Sequence, residues 1–210
     1  MLSKRLILLL AALPIVATLG FVVLPAAQSV EAPPAVAEEL PAVVAKLPGF
    51  DPAWLAPIEG VGVRRFAHVV FEMFAGEGQD MPKLLARHGL TEAKVNRISE
   101  VIATRMREDK SFKFAEIYGA YYQEAATGQF AKFARDMAHS VLNGVPLAER
   151  EPMTWDEFRV VQGYYARKSP FARDTSLAAL DEILAPKKMT FIDFQVLGAW
   201  FGRRLALESR

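Results

Sequence analysis

Histidine can act as a metal ligand, an acid or a base, and this 210-residue chain contains three histidines. A metal site built on histidine needs its ligands close together, as in the pattern His-Glu-x-x-His. His68, His88 and His139 are far apart, and none of them lies in such a pattern. The chain also has no cysteine. We therefore predict no metal site and no cofactor.

Two of the histidines have a simple structural interpretation. His68 and Glu72 are four residues apart in a predicted helix, a spacing that is typical of an exposed ion pair. His88 comes directly before Gly89, where a helix is expected to end, and a cation there complements the helix dipole. Structural roles are favoured for both.

Hydrolytic chemistry has weak support in this sequence. A serine hydrolase carries its nucleophile in a Gly-x-Ser-x-Gly turn between a strand and a helix, and neither is present. A helical enzyme that cuts cell-wall glycan uses a buried glutamic acid of raised pKa, and Glu116 and Glu124 are the candidates. Such enzymes usually carry Glu-Ser early in the domain, whereas here the pair is Glu208-Ser209. We predict no catalytic residue.

A group of tyrosines is the best candidate for a binding surface. Neighbouring residues on a helix diverge by about 100°, so one member of each adjacent pair is expected at a boundary or groove. Tyrosine suits binding surfaces because it combines an apolar body with a polar tip. Packing at the edge of the core is favoured for any one tyrosine taken alone. Taken together, however, the tyrosines are predicted to form a binding surface, which consists of Tyr118, Tyr121, Tyr122, Tyr164 and Tyr165.

The elements that must position these residues are helices. From residue 61 onward, apolar residues recur at intervals of three and four, and no stretch alternates as a strand does. About 150 residues remain after the N-terminal segments, which suits one domain with one core. We therefore predict an all-α bundle of about seven to eight helices over residues 58–207.

Four predicted helix starts share the hydrophobic staple, in which an apolar residue before the cap packs against one inside the first turns. The pairs are Val61 with Phe66, Leu90 with Val95, Met153 with Phe158, and Met189 with Phe194. Thr154 is also followed three residues later by Glu157, which completes a capping box. These starts predict helices that begin near residues 62, 91, 154 and 190.

The four starts fall into two pairs, 62/91 and 154/190, with a short helix between the members of each pair. Apolar residues after the second start of each pair also recur at the same offsets. This indicates two divergent three-helix repeats around a central helical hairpin at 112–143. Chance similarity between amphipathic helices is the alternative.

Three short stretches are distinctive: Thr-Trp-Asp-Glu-Phe at 154–158, Gly-Tyr-Tyr-Ala-Arg at 163–167, and His-Gly-Leu-Thr at 88–91. In these stretches the chain resembles a poorly characterised group of bacterial all-helical proteins. The resemblance covers residues 58–207. It implies a helical fold, but no activity and no functional residue.

An uncharged apolar run at residues 6–24 follows Lys4 and Arg5. A membrane span needs about 20 apolar residues, whereas the core of a cleavable signal has about 7–15. The length therefore favours a transmembrane signal-anchor. A cleaved signal peptide is the alternative, with Ala27 and Ser29 forming its small-x-small cleavage site.

Both interpretations place the domain on the same side of the membrane. The basic residues hold the n-region, residues 1–5, in the cytoplasm. The expected product is a single-pass inner-membrane protein with a periplasmic C-terminal domain. After cleavage it would be periplasmic or secreted. The absence of cysteine is compatible with an oxidising compartment but does not prove one.

Residues 25–57 carry seven of the thirteen prolines, which predicts an extended, semi-rigid linker. Its end contains an apolar cluster of Phe50, Trp54 and Leu55, and Asp51 is expected to start one helical turn there. We interpret the cluster as a strap that docks on the domain. A partner-binding motif is the weaker alternative.

The sequence favours a membrane-tethered, exported interaction or scaffold module without catalytic activity, with a protein partner. A formal charge of +1 argues against a broad nucleic-acid surface. One alternative is a helical carrier of an apolar ligand, which needs a dry pocket between the two repeats. Another is the glycan-cleaving enzyme, which needs a buried carboxylic acid that opens to a cleft.

Overall fold

A computed structural model describes residues 50–75, 80–168 and 184–208 of the chain. The predicted anchor at 6–24, the cleavage site at Ala27 and Ser29, and the linker up to residue 49 lie outside these ranges. None of the helices in the described ranges combines the length and apolar character needed to span a membrane.

Within these ranges the chain forms seven α-helices and two short 3-10 helices, and it forms no strand. The α-helices are α1 (Val63–Ala75), α2 (Met81–Arg87), α3 (Glu92–Glu108), α4 (Lys113–Glu124), α5 (Ala131–Asn143), α6 (Trp155–Lys168) and α7 (Phe191–Glu208). The 3-10 helices are Pro52–Leu55 and Ala185–Lys187. The predicted all-α fold is confirmed.

The predicted helix starts are also confirmed, and three of the four have a side-chain cap, at Thr91, Thr154 and Thr190. At α3, the hydroxyl of Thr91 accepts a hydrogen bond from the backbone N–H of Lys94 at 3.2 Å. At α6, the Glu157 carboxylate accepts the backbone N–H of Thr154 at 2.8 Å, while the Thr154 hydroxyl accepts the N–H of Glu157. This reciprocal pair is the predicted capping box.

At the start of α7, Asp193 takes the position that glutamate occupies in a capping box. Its carboxylate accepts the backbone N–H of Thr190 at 2.8 Å, and the Thr190 hydroxyl accepts the N–H of Asp193 at 3.1 Å. The sequence predicted the staple here but not the box. Asp193 is buried, and Gln129 donates a further hydrogen bond to it at 3.4 Å.

The central helical hairpin consists of α4 and α5, and three other helices pack directly against it. α1 and α3 pack against α4, while α7 packs against α5. Seven of the twelve residues of α4 are buried, including residues on every side of the helix. A helix that is enclosed in this way lies at the centre of the core.

The strap, residues 50–56, docks on this core as predicted. Phe50 and Leu55 are buried, and the ring of Trp54 packs edge-on between those of Phe50 and Phe114. The guanidinium of Arg105 donates hydrogen bonds to the backbone carbonyls of Trp54 and Ala56. The buried core therefore includes Phe50, eight residues before the predicted domain boundary at residue 58.

Asp109 joins the end of α3 to the start of α4. Its buried carboxylate accepts the backbone N–H of Phe114 at 2.6 Å and that of Ser111 at 2.8 Å. Phe112, directly before α4, has a left-handed backbone (φ +60°) and makes no side-chain cap. The cap of α4 therefore comes from a residue several positions upstream of the helix.

Candidate functional site: a cleft beside α7

Three of the predicted surface tyrosines lie in the core. Tyr118, Tyr121 and Tyr122 are only 4%, 4% and 2% exposed. The expectation that one of each adjacent pair lies at a boundary is wrong for Tyr121 and Tyr122, because α4 is enclosed on all sides. The side chains of Tyr164 and Tyr165, on α6, lie outside the described part of the molecule.

Burial also changes the acidity of these phenols. Removal from water raises the pKa of Tyr122 to about 12, because the charged phenolate loses its hydration. The pKa of Tyr118 rises further, from the same cause and from the neighbouring Tyr122. Both hydroxyls therefore stay neutral near pH 7.

Glu124, one of the two candidate catalytic acids, is the centre of an ion-pair cluster. Arg64 donates two hydrogen bonds to its carboxylate, at 2.7 and 3.0 Å, and His68 Nε2 lies 3.4 Å from it. Burial acts to raise the pKa of Glu124, but the bonds from His68 and Arg64 outweigh it and lower the pKa. A general acid needs the opposite shift.

The other ionisable candidates also have structural partners. Glu116 is paired with Lys113 at 2.8 Å. The predicted pair of His68 with Glu72 is wrong. Glu72 instead lies 3.1 Å from His88 Nε2, and this contact holds the end of α2 against α1. His68 points to Glu124 because α4 packs against the same face of α1.

The described surface contains an open cleft of about 480 Å³ between α7 and the loop that follows α5. Its apolar part is formed by Leu147, Trp200 and Leu207, of which the two leucines are half-buried. Its charged rim consists of Glu149, Arg150, Glu151, Arg204 and Glu208.

The carboxylate of Asp136, on α5, fixes both walls of the cleft. It accepts the indole N–H of Trp200 at 2.9 Å, which ties α7 to α5. It also accepts the backbone N–H groups of Ala148 and Glu149, at 2.8 and 3.1 Å, which ties the loop to α5. The Asp136 side chain therefore joins the loop and α7 through one carboxylate.

A second polar contact fixes the same end of the cleft. Ser140 is fully buried, and its hydroxyl donates to the Val145 carbonyl at 2.5 Å. Arg203 donates to the hydroxyl and to the carbonyl of Ser140, both at 2.9 Å. Since Trp200 bonds to Asp136 and Arg203 to Ser140, α7 runs beside α5 in the same direction.

Most of the rim charges are paired within the domain. Glu149 binds Lys132 at 2.8 Å. Arg204 pairs with both Glu151 and Glu208. Within the described residues, Arg150 is exposed and makes no ion pair or hydrogen bond. The cleft thus presents one guanidinium whose donors are unused.

The cleft combines an apolar floor with a charged rim. Trp200 is almost fully buried beneath the floor, so the apolar surface that a ligand could contact comes from Leu147 and Leu207. A carrier of an apolar ligand encloses its cargo in a largely apolar pocket, whereas this cleft is open and its rim is charged.

In the described ranges, no group of histidine and acidic residues is placed to hold a metal ion.

Sequence reasoning did not find this cleft. Trp200 and Leu207 are seven residues apart and so share one face of a helix, which is the only local signal of it. Leu147 belongs to a loop more than fifty residues earlier, and the contact depends on Asp136.

The chain was compared with protein-family models, with curated proteins and with solved structures, and no significant match was found.

Proposed function

We propose that this chain is an exported helical interaction module without catalytic activity, tethered to the inner membrane by residues 6–24. In this proposal, residues 25–49 hold the folded domain away from the membrane, and the cleft beside α7 binds a protein partner. The cleft is the observation that carries the proposal, because it joins an apolar floor to a charged rim on a fixed scaffold.

The tether is supported by the sequence alone. An uncharged run of nineteen residues after Lys4 and Arg5 has the length of a span and the flanking charges that keep the N-terminus in the cytoplasm. The alternative, cleavage after Ala27-Gln28-Ser29, would release the same domain into the periplasm or the medium. Intact mass of the membrane-extracted protein distinguishes the two, since cleavage removes about thirty residues.

The non-catalytic role is supported by what the ionisable groups do. Glu124 is held as a carboxylate by Arg64 and His68, and Glu116 is paired with Lys113. Both therefore act as structural ion pairs. An apolar-ligand carrier and a glycan-cleaving enzyme remain the competing proposals, in that order.

We also propose that α1–α3 and the region from α6 to α7 are divergent repeats. Matching positions are buried in both: Ile98 with Leu197, and Ile102 with Phe201. The units dock on the hairpin through different helices, α1 on α4 and α7 on α5. The two proposed repeats therefore differ both in sequence and in the helix through which they contact the hairpin.

Site-specific crosslinking tests the interaction. Because the chain has no cysteine, a Leu147→Cys variant carries a maleimide photocrosslinker at the cleft alone. Val160→Cys, on the exposed outer side of α6, is the matched control. The proposal expects a discrete protein adduct in native membranes from the Leu147 site and none from the Val160 site. Equal labelling at both sites, or none at either, would refute the cleft as the interface.

A further inference from the structure

Asn143 and Gly144 form the junction between α5 and the loop that follows it, and both residues are exposed. An asparagine that precedes a glycine is the sequence in which a side-chain amide converts most readily to a carboxyl group. The reason is that glycine has no side chain to hinder its own backbone nitrogen, which is the attacking atom in this reaction. The chemistry of this junction is independent of the proposed function, of the tether and of what the cleft binds.

The backbone around Gly144 leaves the attacking nitrogen free. Gly144 has a left-handed conformation (φ +67°) that ends the helix, which glycine adopts without steric cost. Within the described residues, its N–H makes no hydrogen bond. The carbonyl of Ser140, four residues earlier, is the usual acceptor for such an N–H, but here it accepts Arg203 at 2.9 Å. The nitrogen of Gly144 is therefore available for reaction.

His139 holds the side-chain amide that would be attacked. The amide nitrogen of Asn143 lies 2.9 Å from Nδ1 and 3.1 Å from the backbone carbonyl oxygen of His139. An amide N–H₂ can only donate, so Nδ1 of His139 is the acceptor in this pair. Both bonds draw the amide back along the helix, away from the residue that follows it. They must break before the amide carbon can meet the nitrogen of Gly144.

We propose that Asn143 is a site of spontaneous deamidation and that His139, as a positioning residue, slows the reaction by holding the amide. In the reaction, the Gly144 nitrogen loses its proton to water and forms a bond to the amide carbon of Asn143. The bond from that carbon to Nδ2 breaks, and the departing nitrogen takes up a proton and leaves as ammonia. Water then opens the resulting cyclic imide at either carbonyl, which gives aspartate or isoaspartate. Water is the only co-reactant.

Either product changes the end of α5. A carboxylate at the C-terminus of a helix is repelled by the partial negative charge of the helix dipole, and it cannot donate to His139 as the amide does. Isoaspartate also adds one carbon to the backbone directly before the loop. Further along this loop, the backbone N–H groups of Ala148 and Glu149 bond to Asp136 and belong to one wall of the cleft. We expect conversion to loosen this wall.

Asn96 provides a control within the same chain, because 96 and 143 are the only two positions that carry asparagine. Asn96 is exposed as Asn143 is, but it lies inside α3. The N–H of the next residue, Arg97, belongs to the hydrogen-bonded interior of that helix, and the Arg97 side chain hinders approach to the nitrogen. Exposure of the asparagine is therefore common to both positions, whereas a free attacking nitrogen is expected only at the α5 end.

Peptide mapping of the full chain, held in detergent micelles in warm and mildly alkaline buffer, tests the proposal. Mass spectrometry detects the change from amide to carboxyl, and enzymatic methylation detects isoaspartate. We expect conversion at Asn143 and none at Asn96, with the chain unfolded in urea giving the upper limit of the rate. His139→Ala is expected to raise the rate about fivefold, the equivalent of one net hydrogen bond. Asn143→Gln, which would have to form a larger ring, should show no conversion in the same period.

Hydrogen exchange measures the effect on the cleft wall. Asn143→Asp reproduces one product, and the amides of Ala148 and Glu149 should exchange faster in this variant than in the wild-type chain. Since His139 is exposed, His139→Ala is expected to keep the native circular dichroism spectrum.

Three results would overturn the deamidation site or the role of His139. They are an Asn143 that stays intact when the chain in urea has converted completely, equal conversion at Asn96 in the folded chain, and a rate that His139→Ala leaves unchanged. Unchanged exchange in Asn143→Asp would refute the loosening of the wall.

Discussion

The indole N–H of Trp200 donates a hydrogen bond of 2.9 Å to the carboxylate of Asp136, and this bond joins α7 to α5 beneath the cleft. The same carboxylate accepts the backbone N–H groups of Ala148 and Glu149 from the opposite wall. Sixty-four residues separate the indole from its acceptor in sequence. One carboxylate therefore accepts three hydrogen bonds from both walls of the cleft.

Replacing Asp136 tests how much of the fold depends on that contact. Asp136→Asn keeps the shape but offers one acceptor oxygen to three N–H donors, and its own amide N–H₂ faces them. We expect a loss of about 2 kcal/mol in the free energy of unfolding, measured by urea denaturation. Asp156→Asn, an exposed aspartate on α6, is the control and is expected to change it by less than about 0.5 kcal/mol. Equal effects of the two substitutions would contradict the assigned role of Asp136.

The ion-pair cluster at Glu124 predicts a pH dependence of stability. The pKa of Glu124 is lowered in the folded state, so the unfolded state binds the proton more readily. Its contribution is then complete above the unfolded pKa and is lost as pH falls through the folded pKa. We expect Glu124→Gln to cost about 1 kcal/mol at pH 7 and progressively less below about pH 4.

Denaturant unfolding of both chains at a series of pH values measures this difference. Glu100→Gln, an exposed position on α3, provides the control. A gap between wild-type and Glu124→Gln that stays constant with pH would show that the substitution acts through packing rather than charge.

The buried phenols predict an unusual alkaline titration. The chain has five tyrosines, and Tyr122 has a pKa raised to about 12, with that of Tyr118 higher still. Difference absorbance of the native protein should therefore leave these two un-ionised at pH 11, with their signal appearing only on unfolding. Because the unfolded state releases these protons more easily, stability should fall as pH rises above about 10.

Tyr122→Phe provides the check, since it should reduce the late-ionising signal and leave the early signal unchanged. If all the tyrosines ionise with an ordinary midpoint while the far-ultraviolet circular dichroism remains native, the burial of α4 is not as described.

Asp109 predicts a large effect from a residue outside any helix. Asp109→Ala leaves the backbone N–H groups of Ser111 and Phe114 without their acceptor, and the one at Phe114 is buried. We expect a loss of about 3 kcal/mol in the free energy of unfolding, because a buried donor is left unsatisfied and a helix loses its cap. Thermal unfolding followed by circular dichroism measures it. Glu108→Ala, the exposed preceding residue, should have little effect.

Local patterns in the sequence were sufficient to predict the helix starts. The caps at Thr91 and Thr154 and the buried staple residues Phe66 and Val95 depend on neighbours within a few positions, so their spacing identified them. The start of α4 was not recognisable in this way. Its cap, Asp109, acts from five residues before the bonded N–H of Phe114.

The predictions that were wrong concern residues whose surroundings are determined by a helix distant in sequence. Tyr121 and Tyr122 are both buried because α1, α3 and α5 enclose α4, which periodicity within α4 alone does not indicate. His68 and Glu72 have the right spacing to pair, yet Glu124, on α4, provides a carboxylate that already binds Arg64. The cleft was missed for the same reason, since its walls meet only in three dimensions.

The loop wall of the cleft has a consequence for dynamics. Ala148 and Glu149 lie outside every helix, and their amide N–H groups bond to a side chain rather than to another backbone group. This wall can therefore open by breaking the bonds to Asp136 and the ion pairs of Glu149 with Lys132 and of Glu151 with Arg204, at a lower free energy than global unfolding. Hydrogen exchange at these two amides would report directly on that opening. A partner that binds the closed cleft would slow their exchange without altering that of the core helices.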